Sequence, residues 1–216
     1  MAAPVDSLAI LGHSFIEGTY RHLQGSQHHC TSSYIAKKMQ LENLVKRVYM
    51  CGQRGSTVVK SAKTKGSYIL PASLLKRETP TLAVLELGTN DLASGAPPLE
   101  VATAIMDIAN CLVEEYGLKH VTVCQIINRK SGIGHLTPAQ FAELAYKTNM
   151  YLKNICEGES TLSYHVHQGF WADEDMTWSR DGIHPNSARG RKLYIKSLRR
   201  SVFKAITQVK RTTKKL

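Results

Sequence analysis

The chain has 216 residues, enough for one sizeable domain with its own core, and its 43% apolar and 21% charged content is ordinary for a globular protein. It has no apolar run of about 18 residues, and MAAPVDS at its start has no basic segment or long apolar stretch, so neither a membrane span nor a secretory signal is expected; five scattered cysteines (Cys30, Cys51, Cys111, Cys124, Cys156), none in a CxxC pair, argue against a zinc or disulfide framework and fit a reducing, cytoplasmic setting. The net charge of +11 lies wholly in residues 186–216, which carry eleven Lys/Arg and no Asp or Glu, while the other 185 residues balance 17 basic against 17 acidic.

The first element is SLAILG, residues 7–12, an apolar run of β type. It breaks into Gly12-His13-Ser14, and a segment able to form a helix follows at once. Taken alone, Ser14 reads as a helix N-cap. Residues 37–77 hold ten Lys/Arg against Glu42, a block that attracts phosphates or simply keeps the surface solvated. Within that block, 44–51 (LVKRVYMC) reads as a second strand, ending in Cys51-Gly52-Gln53-Arg54-Gly55-Ser56-Thr57. A third strand, 81–87 (TLAVLEL), ends in Gly88-Thr89-Asn90-Asp91. Residues 99–116 repeat Val101, Ile105, Ile108, Leu112 and Val113 at helical spacing. Strand 120–127 (HVTVCQII) and helix 138–156, opened by Thr137-Pro138, come next. Strand 161–167 (TLSYHVH) precedes Asp181-Gly182-Ile183-His184-Pro185-Asn186. The last helix, 187–209, has an apolar stripe of Ile195, Leu198, Val202, Ile206 and Val209, with most of its cations on the opposite arc. This alternation predicts βαβ crossovers and a parallel sheet in one domain, residues 1–209. The tail 210–216, KRTTKKL, is too polar to pack and is expected to be disordered.

Ligand sites in such sheets lie outside the carboxyl ends of the strands. Each strand end has a plain reading: a turn glycine at Gly55, an Asx turn at Asn90, a capping loop in DGIHPN. Together they hold what ester hydrolysis needs. Ser14 offers a hydroxyl at a helix mouth, His184 can take its proton, and Asp181, three residues upstream, can orient the ring. The Ser14 and Gly55 backbone N–H groups and the Asn90 amide can receive an oxyanion. This chemistry needs no metal or other cofactor. His28-His29-Cys30 has no second ligand pair at suitable spacing, Cys51 and Cys124 read as core thiols, and Asp173-Glu174-Asp175 reads as a solvated loop. Trp171 and Trp178 read as packing residues or as a wall for the acyl or leaving group.

These blocks resemble the SGNH (GDSL-type) hydrolase superfamily over residues 8–190: a nucleophile block at Gly12-His13-Ser14, an oxyanion glycine at Gly55, GTND at Gly88–Asp91 and DxxH at Asp181–His184. The resemblance implies a flavodoxin-like three-layer α/β/α sandwich with a five-stranded parallel sheet. It also implies a serine esterase for small or short-chain acyl esters, with a Ser14-His184-Asp181 triad. The family carries Asp where this chain has His13, which removes a supporting carboxylate beside Ser14. Gly55-Ser56-Thr57 fits the family's Gly-Asp-Thr pattern better than Gly52 does. GHSF, the Gln125–Arg129 stretch and DGIHPN are also similar to esterase-like domains of retrotransposon first open reading frames. Superfamily members that have lost catalytic residues bind RNA. The rival expectation is therefore a module that binds RNA or an anionic membrane surface through Arg199, Arg200, Lys204 and the 210–216 tail.

Overall fold

The structure is a computed structural model that describes residues 4–26, 30–59, 70–132, 136–170, 177–185 and 187–213. In chain order the elements are β1 (Val5–Gly12), α1 (Ser14–Gln24), α2 (Ser32–Lys38), β2 (Val45–Gly52), α3 (Ala72–Arg77), β3 (Leu82–Glu86), α4 (Thr89–Ala93), α5 (Pro98–Glu114), β4 (His120–Cys124), α6 (Pro138–Cys156), β5 (Leu162–His165) and α7 (Ala188–Thr213). The five strands are all parallel, in the order β2-β1-β3-β4-β5. This is the expected flavodoxin-like three-layer sandwich.

Strands covered on both faces read as continuous apolar runs rather than alternating ones, and every residue of β3 is buried. Leu8, Ile10, Leu82 and Val84 face a layer built from α1, α2 and α7. Ala9, Leu11, Ala83, Leu85, Val121 and Val123 face α5 and α6. The expected stripe on α5 buries Val101, Ile105 and Leu112, and that on α7 buries Leu198, Val202 and Ile206. Thr137 caps α6 in a full capping box with Gln140, and Pro138 follows at the first helical position.

The differences from the sequence reading each have a physical cause. Helices α2, α3 and α4 span seven, six and five residues, too short to establish a periodicity. β4 stops at Cys124, not at 127, because the Asn149 amide takes over both backbone groups of Ile126, at 2.8 and 3.0 Å. β5 stops at His165, and the backbone N–H of His167 donates to the Gln125 side chain at 3.0 Å. α7 runs to Thr213, past the expected boundary at 209, since Lys and Arg sustain a helix well; residues 214–216 lie outside the described residues. No helix among the described residues is long and apolar enough to cross a membrane, and none of the five cysteines is joined in a disulfide.

Gly52, at the end of β2, lets α1 approach the sheet closely. A Cβ there would lie 2.3 Å from the backbone nitrogen of Glu17. Gly52→Ala should therefore lower unfolding free energy by about 1–3 kcal/mol, because backbone must shift to admit the methyl. The check is the urea midpoint at constant slope. An unchanged midpoint would show that α1 is not pinned against β2.

Candidate active site

Strand order reverses beside β1, which pairs with β2 on one side and β3 on the other. The loops that leave these strands carry the site. His13 is the N-cap of α1, and its Nδ1 accepts the Phe15 backbone N–H at 3.4 Å. Ser14 is thus the first helical residue and not the cap. His13 fills the local acceptor role that an Asp would have. The residue is buried, and burial, with the fields of Arg129 and His184 added, pushes its pKa down to about 3. It is a neutral acceptor at physiological pH.

The Ser14 hydroxyl meets His184 Nε2 at 2.9 Å, across 170 residues of chain. His184 Nδ1 meets Asp181 Oδ2 at 2.6 Å. Asp181 Oδ1 accepts from the Ser179 hydroxyl at 2.6 Å and from the Ile183 and His184 backbone N–H groups at 2.8 and 3.0 Å. Partial burial by itself raises this carboxyl's pKa. The bonds from Ser179, the two backbone N–H groups and the His184 ring outweigh it and hold the pKa well below the usual carboxylate range. The tight loop is tied to the segment after β4, where the Lys130 and Ser131 N–H groups donate to Gly182 O at 2.9 and 3.1 Å.

Gly55 and Asn90 come from the loops after β2 and β3. Gly55 has φ +66°, a left-handed conformation, and a Cβ there would meet nothing within 4 Å. Glycine is favoured here by backbone geometry and not by crowding. The Asn90 Nδ2 donates to Ser56 O at 2.9 Å, which uses one of its two N–H bonds. Asp91, buried next to it, accepts from the Val58 and Val59 N–H groups at 2.7 and 2.8 Å and so ties the Gly55 loop to α4. The GTND sequence by itself does not show this tie. Ser14, Gly55, Asn90 and His184 line one cleft of about 460 Å³. Gly18, Arg54, Arg129 and Ile183 complete its lining. In the sequence Arg129 stands only at the end of the Gln125–Arg129 stretch, and nothing there marks it as buried at the site.

The other singled-out residues fall elsewhere. Cys124 is buried and Cys51 half-buried. Trp178 packs edge-on against Phe170. His28, His29, Trp171, Asp173, Glu174, Asp175 and Asn186 lie outside the described residues. Of the candidate polyanion residues, Arg200 donates to Gln168 and Lys204 to the backbone oxygen of Tyr164. Among the described residues, one group could hold a metal: Glu86, Cys124 and His167, buried in the core with donor atoms within 4.8 Å of one another.

The chain matches the GDSL-like Lipase/Acylhydrolase family over residues 10–189. No curated protein matches it by sequence. Its structure is similar to that of a carbohydrate acetylesterase family member from Sinorhizobium meliloti, at 14% identity and a TM-score of 0.64, over 94% of this chain and 99% of that one. The psychrotrophic esterase EstA from Pseudoalteromonas sp., solved with monoethylphosphonate as inhibitor, has 17% identity and a TM-score of 0.62 over 94% and 99%. TesA has 19% identity and a TM-score of 0.61 over 91% and 98%. At these identities the structural likeness is one of fold.

Three buried histidines are expected to make the fold acid-sensitive. Burial lowers the pKa of His13 to about 3, of His120 to about 4 and of His165 to about 3. The unfolded chain binds these protons near pH 6.5 and the folded chain does not. Stability is therefore complete above that pH and is lost as pH falls through the window down to about 3–4. Each histidine contributes a slope of up to about 1.4 kcal/mol per pH unit in that window. Urea midpoints at pH 7, 6 and 5 should fall progressively, whereas equal midpoints would show that these rings protonate in the folded state without penalty.

Proposed function

This chain belongs to the GDSL-like Lipase/Acylhydrolase family, and from that premise we propose that it hydrolyses small or short-chain acyl esters with Ser14 as nucleophile. The observation that carries the reading is the unbroken chain Ser14 Oγ, His184 Nε2, His184 Nδ1, Asp181 Oδ2, with contacts of 2.9 and 2.6 Å, at a cleft shared with Gly55 and Asn90. In this mechanism Ser14 Oγ attacks the ester carbonyl carbon while His184 Nε2 takes its proton. Asp181 fixes the ring's tautomer and balances the cation that forms. The carbonyl oxygen becomes an oxyanion, received by the Ser14 and Gly55 backbone N–H groups and the Asn90 amide. The Ser14 N–H lies in the first turn of α1, where backbone donors lack intrahelical partners and the helix dipole favours negative charge. Collapse of the intermediate expels the alcohol, which leaves with the proton from His184. Water, deprotonated by His184, then releases the acid and restores Ser14.

A panel of 4-nitrophenyl esters from acetyl to dodecanoyl tests the reading, with wild type beside Ser14→Ala. Activity should be greatest on the short chains and absent from the variant. A phosphonate probe should label Ser14. Labelling at another residue, or full activity in Ser14→Ala, would end the proposal. Asn90→Ala should lower kcat by about 10²–10³ with little change in KM, as expected for a donor used mainly in the transition state. A change confined to KM would make Asn90 a ground-state binding residue.

A second reading rests on α7, where the exposed residues Arg189, Lys192, Lys196, Arg200 and Lys204 follow one another along a single face. This row suits a polyanion bound through counterion release. Binding of RNA, and of anionic vesicles in a separate arm, should weaken steeply between low and moderate salt and be equal in wild type and Ser14→Ala. No binding to either at low salt would reduce the row to a solvated surface.

A further inference from the structure

The cleft contains a buried positive charge that the ester chemistry above does not use. Arg129, in the segment after β4, is 4% exposed and lines the same cleft as Ser14 and Asn90. Its Nη2 and Nε donate to the Thr89 hydroxyl at 2.8 and 3.2 Å, and its guanidinium lies 4.8 Å from the centre of the Phe141 ring. Its Nη1 has no hydrogen-bond partner among the described residues. Burial lowers its pKa and the Asp181 field opposes this, leaving it at about 10, so the group is a cation at neutral pH. Asp181 already serves Ser179, Ile183 and His184. Within the described residues Arg129 forms no ion pair. A desolvated guanidinium without a counter-ion is unfavourable, and its planar fork matches a carboxylate or phosphate.

The surroundings carry the same sign. Arg54, on the cleft rim, shares the Glu17 carboxylate with Arg21, so this group of three retains a net positive charge. Among the described residues that line the cleft, none is a carboxylate. The first turn of α1 adds the positive end of a helix dipole.

We propose that the ester cleaved at Ser14 is itself an anion, whose carboxylate or phosphate is held by the Arg129 guanidinium with Arg54 at the rim. This proposal rests on the hydrolase reading of Ser14. It differs from a purely structural role, in which Arg129 braces Thr89 and thereby Asn90, because a brace acts equally on every ester.

Matched ester pairs separate the two. One arm compares 4-nitrophenyl hemisuccinate with 4-nitrophenyl butyrate, and the other compares acetylated glycerol phosphate with acetylated glycerol. In at least one arm the anionic ester should be favoured about tenfold or more in kcat/KM at low salt, with the preference shrinking as salt rises. The favoured arm tells carboxylate from phosphate. Arg129→Gln should abolish the preference, Arg129→Lys should restore part of it, and Arg54→Gln should reduce it about threefold. Circular dichroism confirms that each variant is folded. A readout that needs no turnover is calorimetric binding of succinate and of glycerol phosphate to Ser14→Ala and to Ser14→Ala with Arg129→Gln. If wild type cleaves no ester, the hydrolase reading fails, while Arg129-dependent binding of either anion still supports the anion site. Equal loss on charged and neutral esters in Arg129→Gln, or no anion binding that depends on Arg129, overturns the proposal.

Discussion

Gly12 stands in register between Gly52 of β2 and Glu86 of β3, and the site depends on this one row across the sheet. Parallel pairing brings the three carboxyl ends level, so the loops that leave them open on the same side. The hydrogen bonds continue past the row. The Gln53 N–H donates to Gly12 O at 2.9 Å and the His13 N–H to Glu86 O at 3.3 Å. Each loop therefore starts from a fixed direction. Ser14, Gly55 and Asn90 are separated by tens of residues, yet they meet because their strands are neighbours. Asp91 then closes the arrangement by holding the Val58 and Val59 N–H groups from below.

The charges around this row are arranged unequally. Asp181 is well supplied with donors and is the site's secure anion. His13 is kept neutral by burial, with the field of Arg129 added, and caps α1 as an uncharged acceptor. Arg129 is charged and lacks an ion pair among the described residues. The cleft thus joins a helix N-terminus and a guanidinium to His184, whose far ring nitrogen meets Asp181. A field of this sign favours negative charge developing near Ser14.

Behind the site the core is polar where it needs to be rigid. Glu86 Oε2 meets His167 Nε2 at 2.8 Å, and Ser197 Oγ meets both His167 Nδ1 at 2.8 Å and His165 Nε2 at 3.0 Å. This network links β3, β5 and α7 inside the layer that also packs on α1. A run of ring contacts, His184 to Phe15, Phe15 to Tyr194 and Tyr194 to His167, connects it to the cleft. Buried hydrogen bonds of this kind are directional and so specify one packing more narrowly than apolar contacts do. Here it fixes the helix that follows the DxxH loop against the strand that precedes GTND.

By itself the sequence determined the local and periodic features. The inner strands β1, β3 and β4 are legible because strands buried on both faces must be continuous apolar runs, the edge strands β2 and β5 through their β-branched and aromatic residues, and α5, α6 and α7 because their stripes last four turns or more. The Thr137-Pro138 start of α6 is legible because capping is a matter of adjacent residues. Ser14, Gly55, Asn90, Asp181 and His184 were readable as candidates because each sits at a strand end or in a short loop with chemically distinctive neighbours. Only the tertiary structure decided the rest. His13, and not Ser14, caps α1, since the choice depends on the direction in which β1 delivers the chain. The strand ends after Cys124 and His165 depend on Asn149 and Gln125, side chains remote in sequence from the backbone groups they bind. Arg129 looks like any other cation in the sequence. Its burial, its lack of an ion pair and its place beside Asn90 arise where the segment after β4 crosses α4 and α6. A contact between distant segments leaves no periodic trace in either one, so no reading along the chain reveals it.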